Sequence, residues 1–197
     1  KSPDFRSKQT RNPLWIEGWD NPPQFKLKLT ELKDNPSIEL KFQDRSSLFK
    51  LINSLGKDKK LWKVREIHGD LLSKNLISKD VYIATALIKT YAKCGALREA
   101  QEVFDHLLKR DVISFTALIG GYTQHGLGKE ALQCFKNMQD EGVLPNLETY
   151  ICVLKASGLE RSLEVGECID VEVRKLGLLP EHIVLSTAVV AMYAKCG

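Results

Sequence analysis

The stretch that decides the fold is VYIATALIKTYAKCG, residues 81–95. It aligns without a gap with VISFTALIGGYTQHG at residues 112–126 and with IVLSTAVVAMYAKCG at residues 183–197. Each copy has Thr-Ala at its fifth and sixth places, an agreement that chance does not produce three times. The copies begin 31 and 71 residues apart, and the larger gap fits two units of about 35 residues. The chain is therefore a tandem repeat.

Each unit is predicted to form two helices. In the unit that starts at residue 81, the first segment carries Ala84, Leu87, Ile88 and Tyr91 at helical spacing and ends at Gly95, which suits a left-handed C-terminal cap. The second segment has its own apolar stripe, formed by Leu97, Ala100, Val103, Phe104 and Leu107. Helices of about 12 residues are marginal alone, so stacked neighbours must stabilise them. We predict an all-α fold, an α-solenoid of helix-turn-helix repeats.

Composition and charge exclude several classes of protein. The net charge of +4 on 197 residues is too small for binding a polyanion by charge alone, and no run of about 18 apolar residues predicts a membrane span. The five cysteines include no C-x-x-C pair. We therefore expect reduced thiols in the core rather than disulfides or zinc ligands, with no metal and no cofactor.

Catalysis has no support in the sequence. A zinc deaminase needs H-x-E followed by P-C-x-x-C, and this spacing does not occur. The four histidines fall at unrelated repeat positions, and none pairs with a cysteine in a nucleophilic arrangement. We expect a chain that is not an enzyme.

Several stretches resemble the pentatricopeptide repeat family. They are YAKCG, SFTALIGGYTQHG, EALQCFKNMQDEGVLPN and REIHGDLL. The resemblance is to the variety that alternates long, short and standard repeats, and it implies a right-handed α-solenoid. In that register residues 1–45 form a non-repeat N-terminal arm, and the repeats cover residues 46–80, 81–111, 112–146, 147–182 and, in part, 183–197.

The resemblance implies binding of single-stranded RNA in plastids or mitochondria, with one base read per repeat. By similarity, the fifth and last residues of a repeat form the reader pair. Thr85 with Asp111 is the combination that the family associates with guanine, and Thr116 with Asn146 is associated with adenine. Thr187 is the fifth residue of the last, partial repeat. The resemblance therefore implies a G-A step, read 5′ to 3′ along the chain.

The second residue of each repeat is expected to wedge beside the base. Tyr82 and Ile113 are apolar enough for this, whereas Glu148 would repel phosphate. The long repeats lack a good reader pair, since their fifth and last residues are Lys50 with Asp80 and Ile151 with His182. This departure weakens the implied code but not the implied fold.

The N-terminal arm follows a different rule. RNPLWIEGWDNPPQF, residues 11–25, combines two tryptophans with three prolines and is too aromatic for a solvated linker. Trp15, Trp19 and Phe25 either cap the first repeat or dock on another protein. Residues 26–45 are consistent with a β-hairpin or with one helix from Pro36 towards Leu55.

Two hypotheses about function follow from these residues. The preferred one is an organellar RNA-binding module, in a chloroplast or mitochondrion with the plastid preferred, because two reader pairs are present. The other is a structural subunit of an organellar complex, held by the arm and by the open C-terminal repeat. In that last helix we expect Val189, Val190 and Tyr193 to need cover from another segment or protein.

Overall fold

The computed structural model describes residues 45–179 and 181–197, and over these ranges it contains nine α-helices and no strand. The arm with Trp15, Trp19 and Phe25 lies outside the described residues. Residues 26–44, for which the sequence left a β-hairpin or a helix open, lie outside them as well. None of the described helices is long and apolar enough to cross a membrane. The helices are α1 Arg45–Lys57, α2 Leu61–Ser73, α3 Val81–Lys93, α4 Leu97–Asp105, α5 Val112–Gln124, α6 Gly128–Asp140, α7 Leu147–Glu160, α8 Leu163–Lys175 and α9 Ile183–Cys196.

Consecutive helices form pairs in the order of the chain, and each pair stacks on the next pair. From α1 to α7, each odd-numbered helix packs on the even-numbered helix that follows it and on the next odd-numbered helix, so that α1, α3, α5, α7 and α9 form one continuous layer. Helix pairs that contact only their neighbours define an α-solenoid. The predicted fold class is confirmed for the described residues.

The predicted apolar stripes form the core. Ala84, Leu87, Ile88 and Tyr91 are all fully buried in α3. The second predicted stripe is also buried: Ala100, Val103 and Phe104 lie on α4 and Leu107 lies just beyond its end, whereas Leu97 is only partly covered. The Phe104 ring meets the Phe115 ring of the next helix pair edge-on, with centroids 4.9 Å apart. Burial between successive pairs therefore supplies the stability that these short helices lack alone.

Polar residues fix where the helices of the odd-numbered layer begin. Asp80, Asp111 and Asn146 cap α3, α5 and α7, and each accepts a hydrogen bond from backbone N–H groups of the first turn. These bonds satisfy donors that have no partner within the helix. After α3 the backbone of Gly95 has φ +77°, the left-handed cap that the sequence predicted.

Two expectations about burial were wrong in part. The described cysteines are free thiols, but only Cys134 is buried, and Cys168 is exposed. Val189 needs no outside cover, because α9 packs on α7 and leaves that side chain only 4% exposed. Val190 is 68% exposed and Tyr193 36% exposed. Periodicity identified the apolar positions but not which of them the preceding repeat already covers.

Candidate nucleic-acid interface

A cleft of about 190 Å³ opens where α1, α3 and the start of α5 meet. It contains four of the residues that the sequence selected for RNA contact, drawn from two consecutive repeats. The lining residues are Phe49, Asn53, Val81, Tyr82, Thr85, Ala86, Lys89, Asp111 and Ile113. The predicted guanine-reading pair and its two predicted wedges therefore share one surface depression.

One wall of the cleft is aromatic and cationic. Tyr82 is 62% exposed, and its ring centroid lies 6.2 Å from that of Phe49. The Arg45 guanidinium carbon lies 5.2 Å from the Tyr82 centroid, while Arg45 Nη2 donates to Asp80 Oδ1 at 2.6 Å. An exposed ring that contacts another ring and a cation offers a surface for stacking a planar group.

The floor of the cleft carries a buried hydroxyl without a partner. Thr85 is 6% exposed, and its Oγ1 makes no hydrogen bond within the described residues. The equivalent hydroxyl of Thr116 instead donates to the Val112 carbonyl at 2.6 Å. A buried hydroxyl that lacks a partner is costly. Thr85 is therefore arranged to gain from a ligand that brings a polar atom into the cleft.

Asp111 adds a carboxylate at the rim. Its Oδ1 accepts a hydrogen bond from the Ser114 N–H at 2.8 Å, as part of the cap of α5. The second carboxylate oxygen has no hydrogen bond to any described residue. The exposed Lys89 lines the same cleft. The rim thus presents one free acceptor and one exposed cation.

The second predicted pair is joined by a third residue. Asn146 is exposed at the start of α7, and its Oδ1 accepts from both the N–H and the Oγ1 hydroxyl of Thr149, each at 2.9 Å. Thr149 Oγ1 lies 2.7 Å from Thr116 Oγ1 across the boundary between two repeats. Asn146 Nδ2 makes no hydrogen bond within the described part of the chain, so it is the donor left for a ligand.

One further predicted residue and two residues that the sequence judged unsuitable lie near the other repeat boundaries. Thr187 is exposed, and its hydroxyl donates to the Ile183 carbonyl at 2.8 Å. Asp80, the last residue of the first long repeat, is occupied by the α3 cap and by Arg45. Glu148 is exposed next to Asn146. We therefore do not include Asp80 and Glu148 in the candidate interface.

Sequence reasoning missed four contributors, namely Phe49, Asn53, Lys89 and Thr149. Phe49 and Asn53 are four residues apart and lie one above the other on α1, a spacing visible in the sequence. They belong to a long repeat, however, whose fifth residue gave no reader. Thr149 carried a signal as well, because it follows Asn146 by three residues, as Ser114 follows Asp111.

Comparison with known proteins places these helix pairs in a described class. The profile of the PPR repeat family matches residues 110–157, and that of the PPR repeat matches residues 82–112. The fold resembles the crystal structure of the pentatricopeptide repeat protein PPR10 from maize, with a TM-score of 0.57, 22% identity, 88% of this chain covered and 24% of that one. The structure of PPR10 in complex with an 18-nt psaJ RNA element gives a TM-score of 0.62 at 23% identity, covering 86% of this chain and 24% of that one.

Relatives with curated descriptions agree with the profiles. A chloroplastic pentatricopeptide repeat-containing protein of Arabidopsis thaliana is 38% identical over 133 residues, 68% of this chain and 21% of its own length. A second chloroplastic one is 37% identical over 147 residues, 75% of this chain and 18% of its own. A mitochondrial one is 34% identical over 131 residues, 66% of this chain and 23% of its own. The chain therefore contains pentatricopeptide repeats, and it spans about a fifth of the length of these relatives.

Proposed function

We propose that this chain binds single-stranded RNA in a sequence-specific manner. In this proposal Thr85 and Asp111 read a guanine, and Thr116 and Asn146 read the adenine that follows it. The observation that carries the proposal is the cleft itself, which gathers Tyr82, Thr85, Asp111 and Ile113 into one depression. These are the residues that the repeat register selects as one reader pair and its two wedges.

The chemistry of the two caps supports the choice of bases. On its Watson–Crick edge guanine offers N–H donors, which match the free carboxylate oxygen of Asp111. Adenine offers the N1 acceptor at the equivalent place, which matches the free Nδ2 donor of Asn146. Unstacked RNA bases are commonly recognised on this edge, and each well-made pairing discriminates by about 1–3 kcal/mol.

The Tyr82 wall supports single-stranded over double-stranded RNA. An exposed ring backed by Phe49 and Arg45 offers a face for one base, and stacking of this kind contributes about 1–3 kcal/mol per base in single-strand binding proteins. Bases in a duplex are already stacked and paired, so they cannot use such a face. Ile113, 44% exposed at the same cleft, provides the opposite apolar contact in this proposal.

We also propose the variety that alternates long, short and standard repeats, with the domain division given above. The helices that open the units begin at Val81, Val112, Leu147 and Ile183, which gives unit lengths that fit this alternation. The proposed location is an organelle, with the chloroplast preferred to the mitochondrion. Support comes from the names of the relatives, two of which are chloroplastic and one mitochondrial.

Crosslinking in the native source tests the proposal. The full-length protein is recovered after ultraviolet crosslinking, and the attached RNA is sequenced. We expect an organellar transcript enriched at a site that contains G-A, with the enrichment lost when Asp111 and Asn146 are both replaced by alanine. Recovery of one protein assembly of constant stoichiometry without an enriched transcript would instead support the structural-subunit hypothesis.

A further inference from the structure

We propose that Thr149 is a positioning residue that fixes the orientation of the Asn146 amide and joins it to Thr116, so that three residues rather than two decide which base is read. This inference rests on the proposed RNA binding and adds a specificity-determining residue to it. Thr149 lies in the repeat that follows the one containing Thr116 and Asn146. It is fully buried and touches the base only through its neighbours.

The hydrogen bonds at Asn146 define the first step. An amide oxygen has two lone pairs, and both are used here by Thr149, one by its N–H and one by its hydroxyl, each at 2.9 Å. With the oxygen held in this way, the amide offers only Nδ2 to a ligand. If the amide turned over, Oδ1 would face the ligand and would accept from the N–H donors of guanine. The Thr149 hydroxyl therefore protects the preference for adenine.

The link to Thr116 is the second step. Thr149 Oγ1 donates to Asn146 Oδ1 and accepts from the Asn146 N–H at 3.2 Å, so it is committed to this cap. The Thr116 hydroxyl, 2.7 Å away, donates either to Thr149 Oγ1 or to the Val112 carbonyl at 2.6 Å. In both arrangements its proton is used within the protein. Thr116 then presents a lone pair, which suits the amino group of adenine and not the carbonyl of guanine.

The other reader pair provides an internal contrast. Ser114 occupies the place equivalent to Thr149, but its hydroxyl donates to the Asp111 backbone carbonyl at 2.9 Å and not to the carboxylate. It makes no hydrogen bond to Thr85, whose Oγ1 has no partner among the described residues. A carboxylate has two equivalent oxygens and needs no orientation. The hydroxyl at this place is thus a positioning group in one repeat boundary and part of the helix cap alone in the other.

The test compares Thr149→Val with Thr149→Ser and with the matched control Ser114→Ala. Each protein is titrated with a short uridine-rich single-stranded RNA containing one G-A step, and with versions in which the guanine or the adenine is exchanged for the other purine. We expect Thr149→Val to lower the adenine-over-guanine preference at the second base by about tenfold. Its preference at the first base should stay unchanged. Thr149→Ser and Ser114→Ala should retain both preferences.

A readout without RNA separates the two proposals. The side-chain amide of Asn146 is observed by ¹H–¹⁵N NMR in the free protein, assigned with Asn146→Asp. Thr149→Val should move these resonances, while Thr149→Ser and Ser114→Ala leave them in place. Absence of RNA binding by every variant together with the expected NMR shift would overturn the proposed function only. Unchanged amide resonances in Thr149→Val, or an unchanged adenine preference in a variant that binds RNA, would overturn the positioning role.

Discussion

Replacing Gly121 with alanine probes how closely two successive repeats approach. Gly121 is buried in α5, and a Cβ added there would lie 2.9 Å from the Ala92 Cβ of α3 and 3.5 Å from Leu97 Cδ2. The Ala92 Cβ is fixed to its backbone, so the helices themselves must separate. Forcing a methyl into such a contact costs about 1–3 kcal/mol, and the better helix propensity of alanine returns about 0.5–1 kcal/mol.

Gly69→Ala is the matched control. Gly69 is also within a helix, α2, but is exposed, and a Cβ there meets nothing within 4 Å. The gain in helix propensity is the same in both variants and cancels in their difference. We expect Gly121→Ala to be less stable than Gly69→Ala by about 2 kcal/mol, which corresponds to roughly 4–8 °C in Tm for a chain of this length.

Thermal and urea unfolding followed by circular dichroism measure this difference. Gly69→Ala should be slightly more stable than the unmodified protein, and Gly121→Ala less stable. Equal stability of the two variants would show that α3 and α5 do not cross as closely as the structure has it. The spacing of the two reader pairs along the solenoid would then be wrong as well.

Two further predictions concern buried groups. Burial lowers the pKa of His68 below its ordinary value of 6.5, with His106 adding to the shift and Glu99 opposing it. The folded protein therefore favours neutral His68, and the stability from this preference is complete above pH 6.5 and declines as the pH falls below 6.5. His68→Gln should therefore flatten the pH dependence of the free energy of unfolding on the acid side, and an unchanged slope in urea titrations would contradict the assignment. Burial raises the pKa of Cys134 to about 12, so iodoacetamide followed by peptide mass spectrometry should modify the exposed Cys168 first and Cys134 only on unfolding; early labelling of Cys134 would show that α6 is not packed as described.

The fold was predictable because its determinants repeat. Gly95 and the stripe from Ala84 to Tyr91 recur at fixed spacing, and a recurring period exposes the helix pair even where single letters differ. The signals for helix caps are also local in sequence, since Asp111 and Asn146 each precede a helix by one residue. Such signals need only neighbours in sequence.

The site was less predictable because it depends on how one repeat covers the next. Thr85 and Thr116 were expected to read bases, yet they are only 6% and 4% exposed. Thr116 is hydrogen-bonded to Thr149 of the following repeat, whereas Thr85 makes no hydrogen bond to Ser114, which occupies the equivalent place. Serine and threonine carry the same hydroxyl group, so the sequence does not distinguish the two cases. Only the three-dimensional structure shows that the Ser114 hydroxyl donates to the Asp111 backbone carbonyl and the Thr149 hydroxyl to the Asn146 side-chain amide.

The most direct test of the account exchanges the two caps, using Asp111→Asn and Asn146→Asp separately. Asparagine and aspartate are almost equal as N-caps, so neither change should disturb the helix start, and circular dichroism checks this. Binding is measured by competition between single-stranded RNAs that differ at one base of the G-A step. We predict that Asn146→Asp moves the preference at the second base from adenine towards guanine. We also predict that Asp111→Asn lowers the guanine preference at the first base, where the Ser114 hydroxyl is bonded to the backbone carbonyl and does not orient the new amide. Binding whose base preference is unchanged by both substitutions would contradict the claim that these caps read the RNA.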